Sequence, residues 1–349
     1  MGYFQKPQIF GIILMKKDNP EILKIDCLRI GYNRGKDESP LLPPLTARAR
    51  RGELIAVIGR NGIGKSTLLR TLAGLQPSLG GEISYGGKSI RDYSKKDLAG
   101  IVGYISTEIV RVSNMRVYDL VALGRYPYTN WFGKIDESDH NKITDAIEKT
   151  GMTELSGRFI TELSDGERQK AMIARILAQD TGIMVMDEPT AFLDIGSKFE
   201  ILHLMHVLSQ KNGKTIIFST HDFNAAMSQA DKIWLITDNL LQEGAPEDLM
   251  LSGSFDHLFD SASIQFNSEN GTYSFKSESR GEVNVSGDGI FFHFTKKAIN
   301  RAGFSVSASD LQPCLKVPSG NNNHWQYIDG SSVTEFNSLY EFIAWLDMA

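Results

Sequence analysis

One run, Gly59-Arg60-Asn61-Gly62-Ile63-Gly64-Lys65-Ser66-Thr67, constrains the chain more than any other feature. It matches G-x-x-x-x-G-K-[ST] in the setting that pattern needs, after a strand and opening a helix. Residues 53–59 read as the strand, and Ser66 to Ala73 as the helix, stopped by Gly74 and Pro77. Glycines let the backbone turn so that successive N–H groups face inward around an anion. The free N–H groups and dipole of the helix start add to the attraction for phosphate. In such a loop Lys65 reaches the β- and γ-phosphates and the Ser66 hydroxyl is a ligand for Mg²⁺. The loop predicts nucleotide binding and leaves the reaction open, because many NTPases and kinases share it.

The rest of the chain supplies a frame. Residues 22–30 read as a strand, and Ile183-Met184-Val185-Met186 and Thr215-Ile216-Ile217-Phe218-Ser219 as short strands buried on both faces of a parallel sheet. Helical stretches at 138–150, 167–179, 196–211 and 223–229 lie around them, which predicts an α/β core. The character changes near residue 262. Beyond it the chain is rich in Ser, Asn and Gly, and 263–267, 272–276, 282–286 and 290–294 read as strands. Ser338 with Glu341 forms a capping-box pattern ahead of a helix bearing Leu339, Phe342, Ile343 and Leu346. The chain of 349 residues is therefore expected to hold an N-terminal extension (1–20), an α/β domain (21–262) and a small α+β domain (263–349). Met15, ahead of Lys16-Lys17-Asp18, is an alternative start.

Composition removes several classes. Cys27 and Cys314 are the only cysteines, which excludes a disulfide scaffold and a cysteine-rich zinc module and fits a reducing compartment. His293, His324 and Cys314 match no standard zinc spacing. A net charge of −5 gives no global attraction to nucleic acid. The longest apolar run, Ile9 to Met15, falls well short of the ~18–20 residues that span a bilayer.

Three further segments bear on the reaction. Asp187 and Glu188 end an apolar strand, where Asp187 can hold Mg²⁺ through water and Glu188 can polarise an attacking water. Leu163-Ser164-Asp165-Gly166-Glu167 precedes an amphipathic helix. It fits either an ordinary N-cap with acidic first-turn residues or an anion-binding helix start. His221, after residues 215–220, fits either a core imidazole or a phosphate contact.

Their order resembles the nucleotide-binding domain of ABC ATPases over about residues 22–250: the phosphate loop, then Leu163–Glu167, then Asp187-Glu188-Pro189, then Ala191-Phe192-Leu193-Asp194, then Ser219-Thr220-His221-Asp222. The resemblance implies a P-loop NTPase fold with a mostly parallel core, an antiparallel β subdomain and a helical subdomain. It also implies two chains dimerised head to tail around two ATP molecules with Mg²⁺. Lys65, Ser66 and Thr67 of one chain would then bind phosphate and Mg²⁺, and Ser164 and Gly166 of the other would close on the same γ-phosphate. Glu188 would be the general base, His221 the γ-phosphate switch, Asp194 a link between sites, and Tyr32 the aromatic that stacks on adenine.

Two departures from the family pattern stand out. Asp165 and Glu167 replace Gly and Gln, which puts negative charge near a γ-phosphate unless both carboxylates turn away. Thr107 or Glu108 stands where the family has a glutamine that contacts Mg²⁺ and the attacking water.

The stretch from Val117 to Tyr128 looks like importer ATPases for iron–siderophore complexes, haem and cobalamin, in the part that meets the permease. Tyr126, Tyr128, Trp131 and Phe132 would either pack that part or suit a groove that receives a permease helix, and in the second case Arg125→Ala or Tyr126→Ala is expected to uncouple hydrolysis from transport while basal hydrolysis survives. That reading implies integral-membrane permease subunits, a substrate-binding protein outside, and a peripheral position on the cytoplasmic face of the inner membrane. Residues 263–349 would be regulatory or dimer-stabilising. The alternative is a soluble ABC ATPase that remodels nucleic acid or a protein assembly. Against it, the chain has one motif set and only about a hundred residues between loop and signature.

Overall fold

The computed structural model describes residues 20–34, 37–107, 114–129, 135–238, 240–258, 264–267, 272–275, 279–320 and 323–348. Glu108, Trp131, Phe132 and the first nineteen residues lie outside them.

The apolar runs assemble into one six-stranded sheet. Its order is Leu241–Gly244, Lys232–Ile236, Leu54–Gly59, Thr215–Ser219, Ile183–Met186, Val102–Ile105. All neighbours are parallel except the first pair. Ile183–Met186 and Thr215–Ser219 are buried at every residue, as continuous apolar strands covered on both faces must be. The parallel strands bring the phosphate loop, the Asp187-Glu188 pair and the turn with His221 to the same edge, because each follows the C-terminal end of its strand.

A second sheet, antiparallel, joins Leu45–Arg50, Glu21–Arg29, Gly80–Tyr85 and Lys88–Ser89. Leu23 and Ile25 point inward by simple alternation. A bulge at Cys27 (φ 47°) then shifts the phase so that Leu28 and Ile30 are also buried. Leu45, Ala47 and Ala49 alternate inward against them. Both sheets contribute to one hydrophobic core.

The helices Val117–Ala122, Glu137–Lys149 and Asp165–Ala178 pack on one another as a helical subdomain. Each of the latter two opens on a reciprocal capping box, Asp136 with Asp139 and Ser164 with Glu167.

The chain divides near residue 260 into two compact units. The second contains a hairpin of Ile264–Asn267 and Thr272–Phe275, and a sheet ordered Ser305–Ala308, Glu282–Ser286, Cys314–Lys316, Trp325–Asp329, Ser332–Phe336. Gly289–Arg301 and Leu339–Leu346 are its helices. Residues 290–294, expected as a strand, form the first turns of Gly289–Arg301. Phe292, Thr295, Ala298 and Ile299 recur at helical spacing and turn one face to the core, which outweighs the β propensity of the aromatic run. The last helix is capped as expected at its N–H end, Glu341 N–H donating to Ser338 Oγ at 3.2 Å. The Glu341 carboxylate takes the N–H of Asn337 instead of that of Ser338.

Candidate active site

The phosphate loop turns on glycines. Gly62 and Gly64 sit at φ 78° and 112°, a region that side chains disfavour, and Gly64 is the residue before the helix Lys65–Leu72. The N–H groups of Lys65, Ser66 and Thr67 open that helix and have no intrahelical acceptor. Lys65 is only 6% exposed, and its ammonium donates to the carbonyls of Gly59 (2.7 Å) and Arg60 (3.2 Å), across the loop. Burial pulls its pKa below the ordinary lysine value, and the carboxylates of Glu188 and Asp187 oppose the shift. Ile63 N–H closes the turn onto Arg60 O at 3.3 Å, and Arg60 pairs with Asp238 at 3.0 Å. Asn61 is exposed at the tip. Tyr32 stands half-exposed on a short ribbon, its hydroxyl 3.4 Å from the Thr67 hydroxyl.

The two acids are held differently. Asp187 is buried, and its Oδ1 accepts from the Ser219 hydroxyl at 2.7 Å. The same Ser219 oxygen accepts the N–H of Glu188 at 2.9 Å. Glu188 itself takes the left-handed backbone region at φ 50°, a sparsely populated conformation held by its surroundings. That conformation aims its carboxylate at His221, whose Nε2 contacts Oε1. Thr107, one of the two candidates for the position of the family glutamine, donates its hydroxyl to Asp187 O at 3.1 Å. In the sequence Ser219 stands only as one residue of the Ser219–Asp222 motif. Its role depends on partners 31 and 32 residues away in sequence, and the one clue is a hydroxyl ending an otherwise apolar strand.

Gly166 and Asp194 meet in a second cluster through Ser197. A Cβ on Gly166 would lie 2.7 Å from Ser197 Oγ, so the two helices approach too closely for a side chain there. Asp194 caps the helix Ile195–Asn212, accepting Ser197 N–H at 3.0 Å and the Ser197 hydroxyl at 2.7 Å. These bonds hold its carboxyl below the usual range, the backbone N–H contributing most.

Both unusual acids are occupied locally. Glu167 takes the N–H of Ser164 at 2.8 Å, which lowers its pKa against the effect of burial. Asp165 pairs with Arg168 at 2.6 Å. Asp165 is paired with a cation and Glu167 is turned back onto the Ser164 N–H, so each carboxylate is held by a partner on its own chain. A small cavity lined by Thr107, Asp165, Gln169, Glu188 and Phe192 separates the two clusters.

Arg125 differs from its expected place at an interface. Its side chain is buried, with Nε donating to Asp139 Oδ1 at 2.8 Å and Nη1 to Ala178 O at 2.8 Å. Tyr128 is partly exposed, but its hydroxyl turns in to Gln179 O at 3.0 Å. Leu123 and Tyr126 face outward, Tyr126 to 76%.

A buried ammonium in a ring of N–H groups suits a polyphosphate. A hydroxyl at the helix start together with a carboxylate held by Ser219 is an oxygen-only donor set, which suits Mg²⁺. The fold and this site define an ABC-type ATPase. The ABC transporter family model matches residues 42–191, and the iron ABC transporter C-terminal domain model matches residues 280–347. An ABC transporter ATP-binding protein of Methanocaldococcus jannaschii is 36% identical over 73% of this chain and 87% of its own. The ferric enterobactin transport ATP-binding protein of Escherichia coli K12 is 35% identical over 68% and 86%. Among solved structures, cbiO1 of Clostridium perfringens, part of the ABC transporter complex cbiONQ, aligns with a TM-score of 0.59 at 28% identity over 67% of this chain and 92% of that one. The chain belongs to the ABC transporter ATP-binding subunits of the iron–siderophore import ATPase family.

Proposed function

We propose that the chain is the ATP-hydrolysing subunit of an importer for an iron chelate of the siderophore class, with haem and cobalamin as the related cargoes. The observation that carries hydrolysis is the Glu188 carboxylate, paired with His221 at a strand tip and coulombically coupled to the buried Lys65 of the phosphate loop. The cargo class is supported by relatives described as ferric enterobactin and iron(3+)-hydroxamate ATP-binding proteins, and by the match of residues 280–347.

In this reading Lys65 and the N–H groups from Gly62 to Thr67 bind the β- and γ-phosphates, with Gly59, Arg60, Asn61, Ile63 and Gly64 shaping the loop and Tyr32 beside the base. Ser66 and Asp187 would hold Mg²⁺, which would supply charge neutralisation at the phosphates. Glu188 accepts the proton of the attacking water, and His221 fixes the carboxylate and faces the γ-phosphate. Ser164 and Gly166 of a second copy close the site, so ATP binding shuts a head-to-tail homodimer and hydrolysis reopens it. Asp194, through Ser197, ties that closing surface to its own chain's site. Thr107, bonded to Asp187 O, stands in for the missing glutamine.

Among the described residues no helix is long and apolar enough to cross a membrane. The proposal therefore includes separate permease subunits, met by the exposed Leu123 and Tyr126 from the cytoplasmic face of the inner membrane, and a substrate-binding protein outside. Residues 263–349 are proposed as a regulatory or dimer-stabilising domain. The test compares wild type with Glu188→Gln. Hydrolysis and uptake of radiolabelled ferric siderophore should both vanish while ATP binding persists. Equal, negligible ATPase rates in both proteins would contradict it.

A further inference from the structure

The segment Leu123–Tyr128 has two faces. Leu123 and Tyr126 are exposed, whereas Gly124, Arg125 and Tyr128 turn onto one target, the C-terminal turn of the helix Asp165–Ala178. Gly124 lies so close that a Cβ there would sit 2.1 Å from the carbonyl oxygen of Arg175. Arg125 donates to Ala178 O at 2.8 Å, is fixed by Asp139, and stacks 4.1 Å over the ring of Tyr128. Tyr128 donates to Gln179 O at 3.0 Å. The last carbonyls of a helix lack intrahelical partners, and a cation beside them is favoured by the dipole. Here those partners come from the segment that carries Tyr126.

The other end of the same helix begins at Ser164 and Gly166. Fourteen residues at about 1.5 Å each make a rod roughly 21 Å long, so a shift at the clasped end is delivered to the serine end. The clasped turn is tied to the core as well. Arg175 donates to Tyr104 O at 3.3 Å, on the strand that leads to Thr107, and the Gln179 amide donates to Ala99 O at 2.6 Å.

The geometry points to Arg125 and Tyr128 as positioning residues for the closing serine. They convert the seating of a permease on Leu123 and Tyr126 into a displacement of Ser164, which neither residue touches. This rests on the docking reading above.

Tyr128→Phe removes the hydroxyl that holds Gln179 O and keeps the ring beneath Arg125. In liposomes, with the full chain and the membrane subunits that copurify with it, the ratio of assembled to free-chain ATPase rate should fall about two- to tenfold, the range set by one hydrogen bond. The free chain's basal rate and KM for ATP should stay at wild-type values, and its Tm should fall by no more than the few degrees one hydrogen bond is worth. An unchanged ratio, whatever the Tm, would make Tyr128 merely structural and overturn the proposal. Tyr126→Ala serves as the control for docking and should release the chain from the membrane subunits. Release by Tyr126→Ala with full stimulation in Tyr128→Phe would overturn the clasp and leave docking intact. Wild-type retention of Tyr126→Ala would overturn the docking reading, and the clasp with it.

Discussion

Arg125→Met should damage stability before it touches coupling. Arg125 and Asp139 are 2.8 Å apart with both side chains 8% exposed. The substitution keeps the aliphatic bulk and leaves Asp139 buried without its cation, with only the Asp136 N–H at 3.2 Å for its other oxygen. Removing one member of a buried pair costs about 3–5 kcal/mol. Two lost bonds from a charged donor, to Asp139 and Ala178 O, give a similar sum at about 1.5–3 kcal/mol each. A domain of this size should lose roughly 2–4 °C of Tm per kcal/mol, hence on the order of 10 °C. Urea and thermal denaturation of the full chain measure it. Removing both charges, Arg125→Met with Asp139→Leu, should be milder than the sum of the two single changes by about 2 kcal/mol or more, because the stranded carboxylate is gone.

The pH dependence carries a sign. Burial raises the Asp139 pKa, but the bond and charge of Arg125 and the Asp136 N–H outweigh it, so the net value lies below the ordinary 3.8. A depressed carboxylate stabilises the fold above its unfolded pKa, and that contribution is lost as pH falls through the folded value. Without Arg125 two of the contributions that lower it are lost, and the carboxyl protonates at higher pH than in wild type. The gap between variant and wild type should therefore narrow on acidification. A loss under about 1 kcal/mol at neutral pH, or strictly additive single changes, would refute the reasoning.

Glu167→Gln should leave hydrolysis within about twofold, because an amide oxygen can still accept the Ser164 N–H in the capping box; a large change in kcat would show that the charge itself takes part. Ser219→Ala strips Asp187 and the Glu188 N–H of their shared partner, costing about 1.5–3 kcal/mol, and should lower kcat far more than ATP affinity as measured by calorimetry. Gly166→Ala should impair hydrolysis through its 2.7 Å approach to Ser197, and Ser197→Gly in the same chain should restore part of the rate.

The core strands were legible because burial on both faces demands continuous apolar runs, as in Ile183–Met186. The helices were legible from their caps, Ser164 and Ser338 among them. What stayed hidden depends on distant partners. Leu45–Arg50 has alanines and arginines of poor strand propensity and is made a strand by pairing with Glu21–Arg29. Gly289–Arg301 begins with a glycine at φ 69° and an Asp288 that makes no cap bond, so the aromatic run carried no helix-start signal. Arg125 reads as a surface cation until Asp139, fourteen residues on, and Ala178 come to meet it. In the candidate site the phosphate loop, the acids and the serine-led helix start were readable from spacing. The shared hydroxyl of Ser219 and the local partners of Asp165 and Glu167 required the fold.

Light scattering of the Glu188→Gln chain with saturating MgATP asks whether two copies close on the triphosphate. The account predicts a dimer that needs ATP, that reverts to monomer when ADP replaces it, and that fails to form when Ser164→Arg blocks the closing helix start. A hydrolysis-dead chain that binds MgATP and remains monomeric, alone and with its membrane subunits, would contradict it.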